Sequence, residues 1–318
     1  VKMSDISNLP NSKKIILKTR PNGNPKVTNF EIVEEKAKAP NDGEVLIEVQ
    51  ALGIGAWIRT TLNEKAFHGA TPIGGTLPSM GIGKVIFSRS QKFIEGDIVS
   101  GPLSAQSYTT MPGDFFTKIS NPEIDPFTQI GILGVSTGLT AYFGIYNVGQ
   151  VKKDEIVLVS GAAGGVGMIV CQLAKLRGAK VIGIAGGKEK CNVLINEIGV
   201  DASIDYKNEN VVEKLEEYCP NGIDVYFDNV GGDVLDAALI FINKYARIVV
   251  CGAISQYNET AVKGPKNYLS LLVNRATMTG MVVFDYSKNY SNAIDQMKVW
   301  IKNGKLKSRE DIYDGIEN

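Results

Sequence analysis

The pattern of apolar and polar positions changes character once along the chain. From Lys13 to about Lys118 it comes in short alternating stretches: Lys13–Thr19, Phe30–Glu34, Val45–Ala51, Gly83–Ser88, Asp97–Ser100 and Gln106–Met111. Turn-forming runs such as Pro21-Asn22-Gly23-Asn24-Pro25 and Pro40-Asn41-Asp42-Gly43 separate them. Short strands at this spacing predict a small β-barrel or sandwich. After Ile124-Asp125-Pro126 the pattern lengthens. Gly131–Tyr146 reads as a Gly/Ala-rich helix, and apolar strands at Ile156–Ser160, Lys180–Ala185, Ala202–Asp205, Ile223–Asn229 and Ala246–Gly252 follow. Amphipathic helices near 165–177, 188–198, 209–218 and 232–243 alternate with them. Met278–Phe284 is expected as the last strand and Tyr290–Asn303 as the last helix. Continuous apolar strands between helices mean a doubly wound parallel sheet covered on both faces, so the fold class is α/β with a separate β domain ahead of it.

Length and composition leave that picture in place. A chain of 318 residues fits two domains, and 44% hydrophobic residues suffice for packed cores. Lys+Arg and Asp+Glu both number 34, so bulk charge points neither to nucleic acid nor to a membrane surface. No apolar run reaches the roughly 18 residues of a spanning helix. Val1–Pro10 is polar, without a signal-peptide core or an initiator Met, and reads as a trimmed start. Cys171, Cys191, Cys219 and Cys251 are widely spaced in apolar settings, which predicts free buried thiols in a reducing cytosol.

The chemistry concentrates where Val157-Leu158-Val159 runs into Ser160-Gly161-Ala162-Ala163-Gly164-Gly165-Val166-Gly167 and then into helical spacing (Val166, Ile169, Val170, Leu173). Strand, glycine turn and helix N-terminus together make a phosphate site, because the first helical N–H groups lack partners and the dipole favours an anion. The glycines let the backbone approach a pyrophosphate. About 20 residues on, a NAD-binding chain would place an acid on the ribose hydroxyls. Here Ile184-Ala185 is followed by Gly186-Gly187-Lys188-Glu189-Lys190. Glycine leaves room for a 2′-phosphate and lysine supplies a counter-charge, so the expected cofactor is NADP(H). Residues 1–125 contain no cysteine and one histidine, His68, in the loop Ala66-Phe67-His68-Gly69-Ala70. They cannot assemble a catalytic zinc site, and no metal is expected.

Four stretches carry a family resemblance: Gly138-Leu139-Thr140-Ala141-Tyr142-Phe143-Gly144, the Ser160–Gly167 turn, Asp224–Gly232, and Cys251–Asn258. On them the chain resembles the zinc-free medium-chain dehydrogenase/reductases, in the branch of prostaglandin reductase, leukotriene B4 12-hydroxydehydrogenase and plant 2-alkenal reductase. The resemblance implies a GroES-like β-barrel as substrate domain over residues 1–125. It implies a Rossmann NADP-binding domain over 126–285 and a segment, 286–318, returning to the first domain. It further implies a cytoplasmic homodimer that uses NADPH to reduce the C=C bond of α,β-unsaturated aldehydes and ketones, 15-oxoprostaglandin-like enones included. The family continues past Asn318, so the end reads as truncated.

Carried over by residue, Gly164, Gly165, Val166 and Gly167 face the pyrophosphate, and Lys190 and Tyr206 the 2′-phosphate end. Asn229 sits beside the cofactor, and Cys251, Gly252, Ala253, Ile254, Ser255, Gln256 and Tyr257 pass along its nicotinamide half. Met281, Val282 and Val283 line the nicotinamide pocket from the last strand, and Thr140 contacts that side too. Trp57, in Gly55-Ala56-Trp57-Ile58-Arg59, replaces a tyrosine of the family near the substrate, and Arg59 is a candidate for a substrate carboxylate. Hydride delivery to an enone puts negative charge on its carbonyl oxygen, which needs a placed hydrogen-bond donor, and Tyr257 is the candidate. Two other readings stay open: a quinone reductase of the neighbouring zinc-free branch, and an idle NADPH-binding structural or interaction protein. The tail of Cys251–Asn258 argues against the first, and Gly164–Gly167, Lys190 and Tyr257 against the second.

Overall fold

The computed structural model describes residues 8–66 and 68–318. Most of the Val1–Pro10 start, and Phe67 of the His68 loop, lie outside the described residues. The chain divides into two compact units, one holding the described residues up to Ile130 together with Glu310–Asn318, the other Gly131–Arg309.

In the first unit β1 (Asn11–Leu17) and β2 (Phe30–Lys36) form an antiparallel hairpin. A second antiparallel sheet contains β3 (Glu44–Leu52), β4 (Met80–Ser88), β5 (Ile98–Pro102), β6 (Tyr108–Pro112) and β7 (Thr117–Lys118), in the order β6-β3-β4-β5-β7. Alternation puts Val45, Ile47, Val85 and Val99 inward against Phe93, Leu103 and Phe116, all buried. Two short helices escaped the periodicity argument, α1 (Trp57–Thr61) and α2 (Pro126–Ile130), each too brief to show a helical repeat.

In the second unit the expected helix over Gly131–Tyr146 is interrupted. α3 (Thr140–Phe143) lies between two π-helical turns, Val135–Leu139 and Gly144–Val148. Then β8 (Ile156–Val159), α4 (Gly165–Leu176), β9 (Lys180–Ala185), α5 (Lys188–Val193), β10 (Ala202–Asp205), α6 (Val211–Tyr218), β11 (Ile223–Asp228), α7 (Gly232–Ile240) and β12 (Ile242–Val250) alternate. α8 (Leu269–Asn274), β13 (Thr277–Gly280) and α9 (Tyr290–Lys302) complete the unit. The six strands run parallel in the order β10-β9-β8-β11-β12-β13. The order reverses between β8 and β11, the switch point where such sheets bind ligands beyond their carboxyl ends.

Local chemistry sets the element ends. Asn210 caps α6 by accepting from the Val212 and Glu213 amides. At the amino ends of the strands, Arg247 donates to both Glu155 carboxylate oxygens (2.9 and 2.6 Å) and to the Gly149 carbonyl (2.9 Å). The last strand is shorter than expected. β13 stops at Gly280 because β12, its neighbour, ends at Val250; only the Met281 amide still reaches the Val250 carbonyl (3.0 Å). Residues 283–289 then wind into a 3-10 helix, so Met281, Val282 and Val283 lie past the strand and not on it.

Candidate active site

The glycine turn is built at the carboxyl end of β8. Gly161 takes a left-handed φ of 56°, and its carbonyl accepts the Gly164 amide (3.0 Å). No side chain caps α4, whose N-cap is Gly164. Its first amides therefore lack both intrahelical and side-chain acceptors, which suits a pyrophosphate. Gly164 and Gly165 are exposed and Val166 is half-buried, whereas Gly167 is buried. A β-carbon on Gly167 would overlap the Gly161 carbonyl oxygen and come within 2.8 Å of the Ala162 Cα. That close approach is what lets helix and strand share the turn.

Beside the turn, the ends of β8 and β11 are tied by one carboxylate. Asp228, 1% exposed, accepts at Oδ1 from Ser160 Oγ (3.1 Å), Tyr226 Oη (2.8 Å), the Val230 amide (3.0 Å) and the Gly231 amide (2.9 Å). Burial first, and the Asp228 charge second, hold the Tyr226 phenol well above its ordinary value, so it remains a donor. Asn229 donates its backbone amide to Ser160 Oγ (3.0 Å) and its side-chain amide to the Ser160 carbonyl (2.8 Å). These bonds fix Asn229 against the turn, where a β-carbon on Gly161 would lie 3.3 Å from the Asn229 Cβ.

The Cys251–Tyr257 segment is stitched onto the same edge. Cys251 and Gly252 donate to the Asp228 carbonyl (2.9 and 3.1 Å), Ile254 to the Asn229 carbonyl (3.2 Å) and Ser255 to the Val230 carbonyl (3.1 Å). A 3-10 turn over Ile254–Gln256 brings Tyr257 back over the segment, and its phenol oxygen accepts the Ala253 amide (3.2 Å). A phenol whose oxygen already accepts keeps its O–H available to donate.

At the far side of the turn, the ends of β9 and β10 lie in register, Asp205 opposite Ala185. The ladder continues through the Tyr206 amide to the Ala185 carbonyl (3.1 Å), which sets Tyr206 beside Gly186. A β-carbon on Gly186 would meet the Tyr206 ring at 2.8 Å and Lys207 Cε at 3.0 Å. Tyr206 is 50% exposed, and Lys190 and Lys207 are exposed. The residues present therefore fit a phosphorylated dinucleotide: an uncapped helix end, a glycine floor, a phenol ring and lysines. Lys207 was not singled out from the sequence. The signal that finds it is the β9–β10 register, which a linear motif does not carry.

Thr140 opens α3, and Trp57 and Arg59 lie on α1. The Thr140 hydroxyl donates to the Val135 carbonyl within the π turn (2.9 Å), while the Thr137 methyl is the group lying against Gly165. In the first unit, Trp57 and Arg59 are half-buried on α1. The Arg59 guanidinium donates to the Gly23 carbonyl and to Asn63 Oδ1 (both 2.9 Å), bonds that brace α1 locally. Among the described residues, no three His, Cys, Asp or Glu side chains form a cluster able to hold a metal ion.

Comparison with known proteins agrees along the chain. The zinc-binding dehydrogenase family matches residues 165–298, and the N-terminal domain of oxidoreductases matches 13–119. A 2-alkenal reductase (NADP(+)-dependent) of Nicotiana tabacum is 37% identical over 314 residues, covering 96% of this chain and 91% of that protein. The NADPH-dependent curcumin reductase of Escherichia coli is 34% identical with the same coverage of both. Among solved structures, CurA from Vibrio vulnificus in complex with NADPH superposes with a TM-score of 0.91 at 34% identity, over 96% of this chain and 93% of that one.

Proposed function

Because the chain belongs to the 2-alkenal reductase branch of the NADP-dependent medium-chain dehydrogenase/reductases, we propose that it reduces the C=C bond of α,β-unsaturated aldehydes and ketones with NADPH. The observation that carries this reading is the conjunction, along one sheet edge, of three features: the uncapped α4 turn, the Gly186 platform and Tyr257. Bound NADPH supplies a hydride to the β-carbon of the substrate. Gly164, Gly165, Val166 and Gly167 hold the pyrophosphate, and Lys190 and Tyr206 hold the 2′-phosphate. Asn229 and Cys251–Tyr257 flank the nicotinamide half, with Met281, Val282 and Val283 beyond β13 and Thr140 on the same side. Tyr257 donates its O–H to the carbonyl oxygen, directly or through the nicotinamide ribose hydroxyl, and so steadies the enolate; solvent or Tyr257 delivers the proton to the α-carbon.

The unit from Gly131 to Arg309 serves the cofactor, and the other unit serves the substrate through Trp57, whose indole narrows the range of enones accepted. Arg59, its guanidinium engaged locally, fixes α1 and so places Trp57. Enones of the 15-oxoprostaglandin type belong to the proposed substrate class. The active form is a homodimer. β13 is the outer strand of its sheet, and α8, just ahead of it, exposes Leu269, Leu272 and Val273 to 57%, 74% and 68%. Four unpaired thiols fit a reducing compartment, and the cytosol is the proposed location. Among the described residues, no helix is long and apolar enough to cross a membrane.

The test is NADPH oxidation followed at 340 nm with 4-hydroxynonenal or 1-nonen-3-one, beside a quinone control. Turnover of the enals supports the proposal. Turnover of the quinone alone replaces it with a quinone reductase, and NADPH binding without turnover with a non-catalytic binder.

A further inference from the structure

We propose that Lys207 is a second cation for the 2′-phosphate of the dinucleotide, and that Asp205 is the positioning residue that holds it over Gly186. The inference rests on the NADP(H) reading above and deepens it. Lys207 Cε lies 3.0 Å from where a Gly186 β-carbon would be. Its ammonium nitrogen is one bond, ~1.5 Å, further on. The same glycine face carries the Tyr206 ring at 2.8 Å. Ring and ammonium thus stand together above a floor with no side chain of its own.

Two further observations give that arrangement a purpose. Among the described residues, neither Lys190 nor Lys207 has a carboxylate within ion-pairing distance. Of the two acids close by, Asp205 is turned inward and 7% exposed, and Glu209 accepts the Asp205 backbone amide (2.8 Å). Asp205 Oδ1 accepts the Gly187 amide (2.7 Å) and the Lys207 amide (3.1 Å), and its Oδ2 accepts the Asn208 side chain (2.7 Å). Asp205 therefore clamps the turn after β9 to the turn after β10, and its charge faces internal donors. The Asn208 bond first and the Gly187 bond second hold its carboxyl below the ordinary range. It stays an anion at working pH and keeps both turns in place. A phosphate dianion entering over Gly186 would meet two ammonium groups from different strand ends, each able to make a charge-assisted hydrogen bond.

The experiment measures dissociation constants for NADPH, NADH, 2′,5′-ADP and 5′-AMP by calorimetry, on the full chain. Lys207→Met is expected to weaken NADPH and 2′,5′-ADP by roughly tenfold and to leave NADH and 5′-AMP within twofold. Lys207→Arg restores most of the loss. Asp205→Ala weakens the phosphorylated ligands to a similar degree, with faster amide exchange at Gly187 and Lys207. Asp205→Asn keeps the Oδ1 acceptor but loses the Asn208 bond, and is expected to fall between the unaltered protein and Asp205→Ala. If Lys207→Met binds NADPH within twofold of the unaltered protein, the second-cation role is overturned. If Asp205→Ala leaves NADPH affinity and amide exchange unchanged, the positioning role is overturned. A separate outcome, in which the unaltered protein itself holds NADH as tightly as NADPH, removes the NADP(H) reading on which both rest.

Discussion

At the scale of single residues, Tyr257 is held as a donor by what it accepts. The Ala253 amide points at its phenol oxygen, so the ring cannot swing away without leaving that N–H unpaired. Replacing it with phenylalanine is expected to lower kcat on an enone about 10²–10³-fold, the usual effect of losing one oxyanion donor. NADPH affinity, read by cofactor fluorescence, should stay within a few-fold; a rate loss under about threefold would remove the donor role. Asp97, in the other unit, shows an acid doing structural service. It is 8% exposed, pairs with Lys118 (2.6 Å) and accepts the Ile94 amide (3.0 Å). The Lys118 bond is the main cause holding its carboxyl below the ordinary 3.8. A depressed carboxyl stabilises the fold above its unfolded value, and the contribution disappears as pH falls through the lower folded value. Urea titrations should therefore show Asp97→Asn less stable than the unaltered protein at pH 7. The gap should close as pH is lowered below 3.8.

At the scale of elements, the β8–turn–α4 corner is the part best legible in the linear chain. An apolar run, spaced glycines and helical periodicity are all local signals, and the corner forms where they meet. Gly167→Ala is expected to break it, since the new methyl meets backbone that cannot swing aside. Overpacking of this kind costs about 1–3 kcal/mol, visible as a lower urea midpoint, and NADPH affinity should fall by more than tenfold because the pyrophosphate amides move with the turn. What escaped the reading depends on neighbours distant in sequence. Apolar Met281–Val283 continues the pattern of the last strand, while the ladder stops with its neighbour at Val250. α8 is apolar almost all round, a composition without the two-faced pattern that marks a surface helix. The hydroxyl of Thr140 turned to Val135 because the expected helix opens there into a π turn, which no residue preference announces. Lys207 reaches Gly186 only through strand register.

At the scale of the whole molecule, the two units differ in construction, and the second presents an apolar helix, α8, just ahead of its outer strand β13. If copies join there, Leu272→Glu should shift the sedimentation-equilibrium mass toward that of one 34.4 kDa chain, while a dimer mass persisting in the variant would place the contact elsewhere. The cysteines bear on durability. Conjugated aldehydes are soft electrophiles that alkylate thiolates, so a reductase working on them risks self-inactivation. Cys171 and Cys219 are sealed in the core and burial pushes their thiols up to about 12 and about 11; Cys251, half-buried beside Asp228, is raised to about 12, and Cys191 is raised too. A raised thiol holds less of the thiolate that attacks an electrophile than an ordinary one does. Intact-mass spectra after prolonged exposure to 4-hydroxynonenal are expected to show no cysteine adduct until the protein unfolds, a built-in tolerance of its own toxic feedstock.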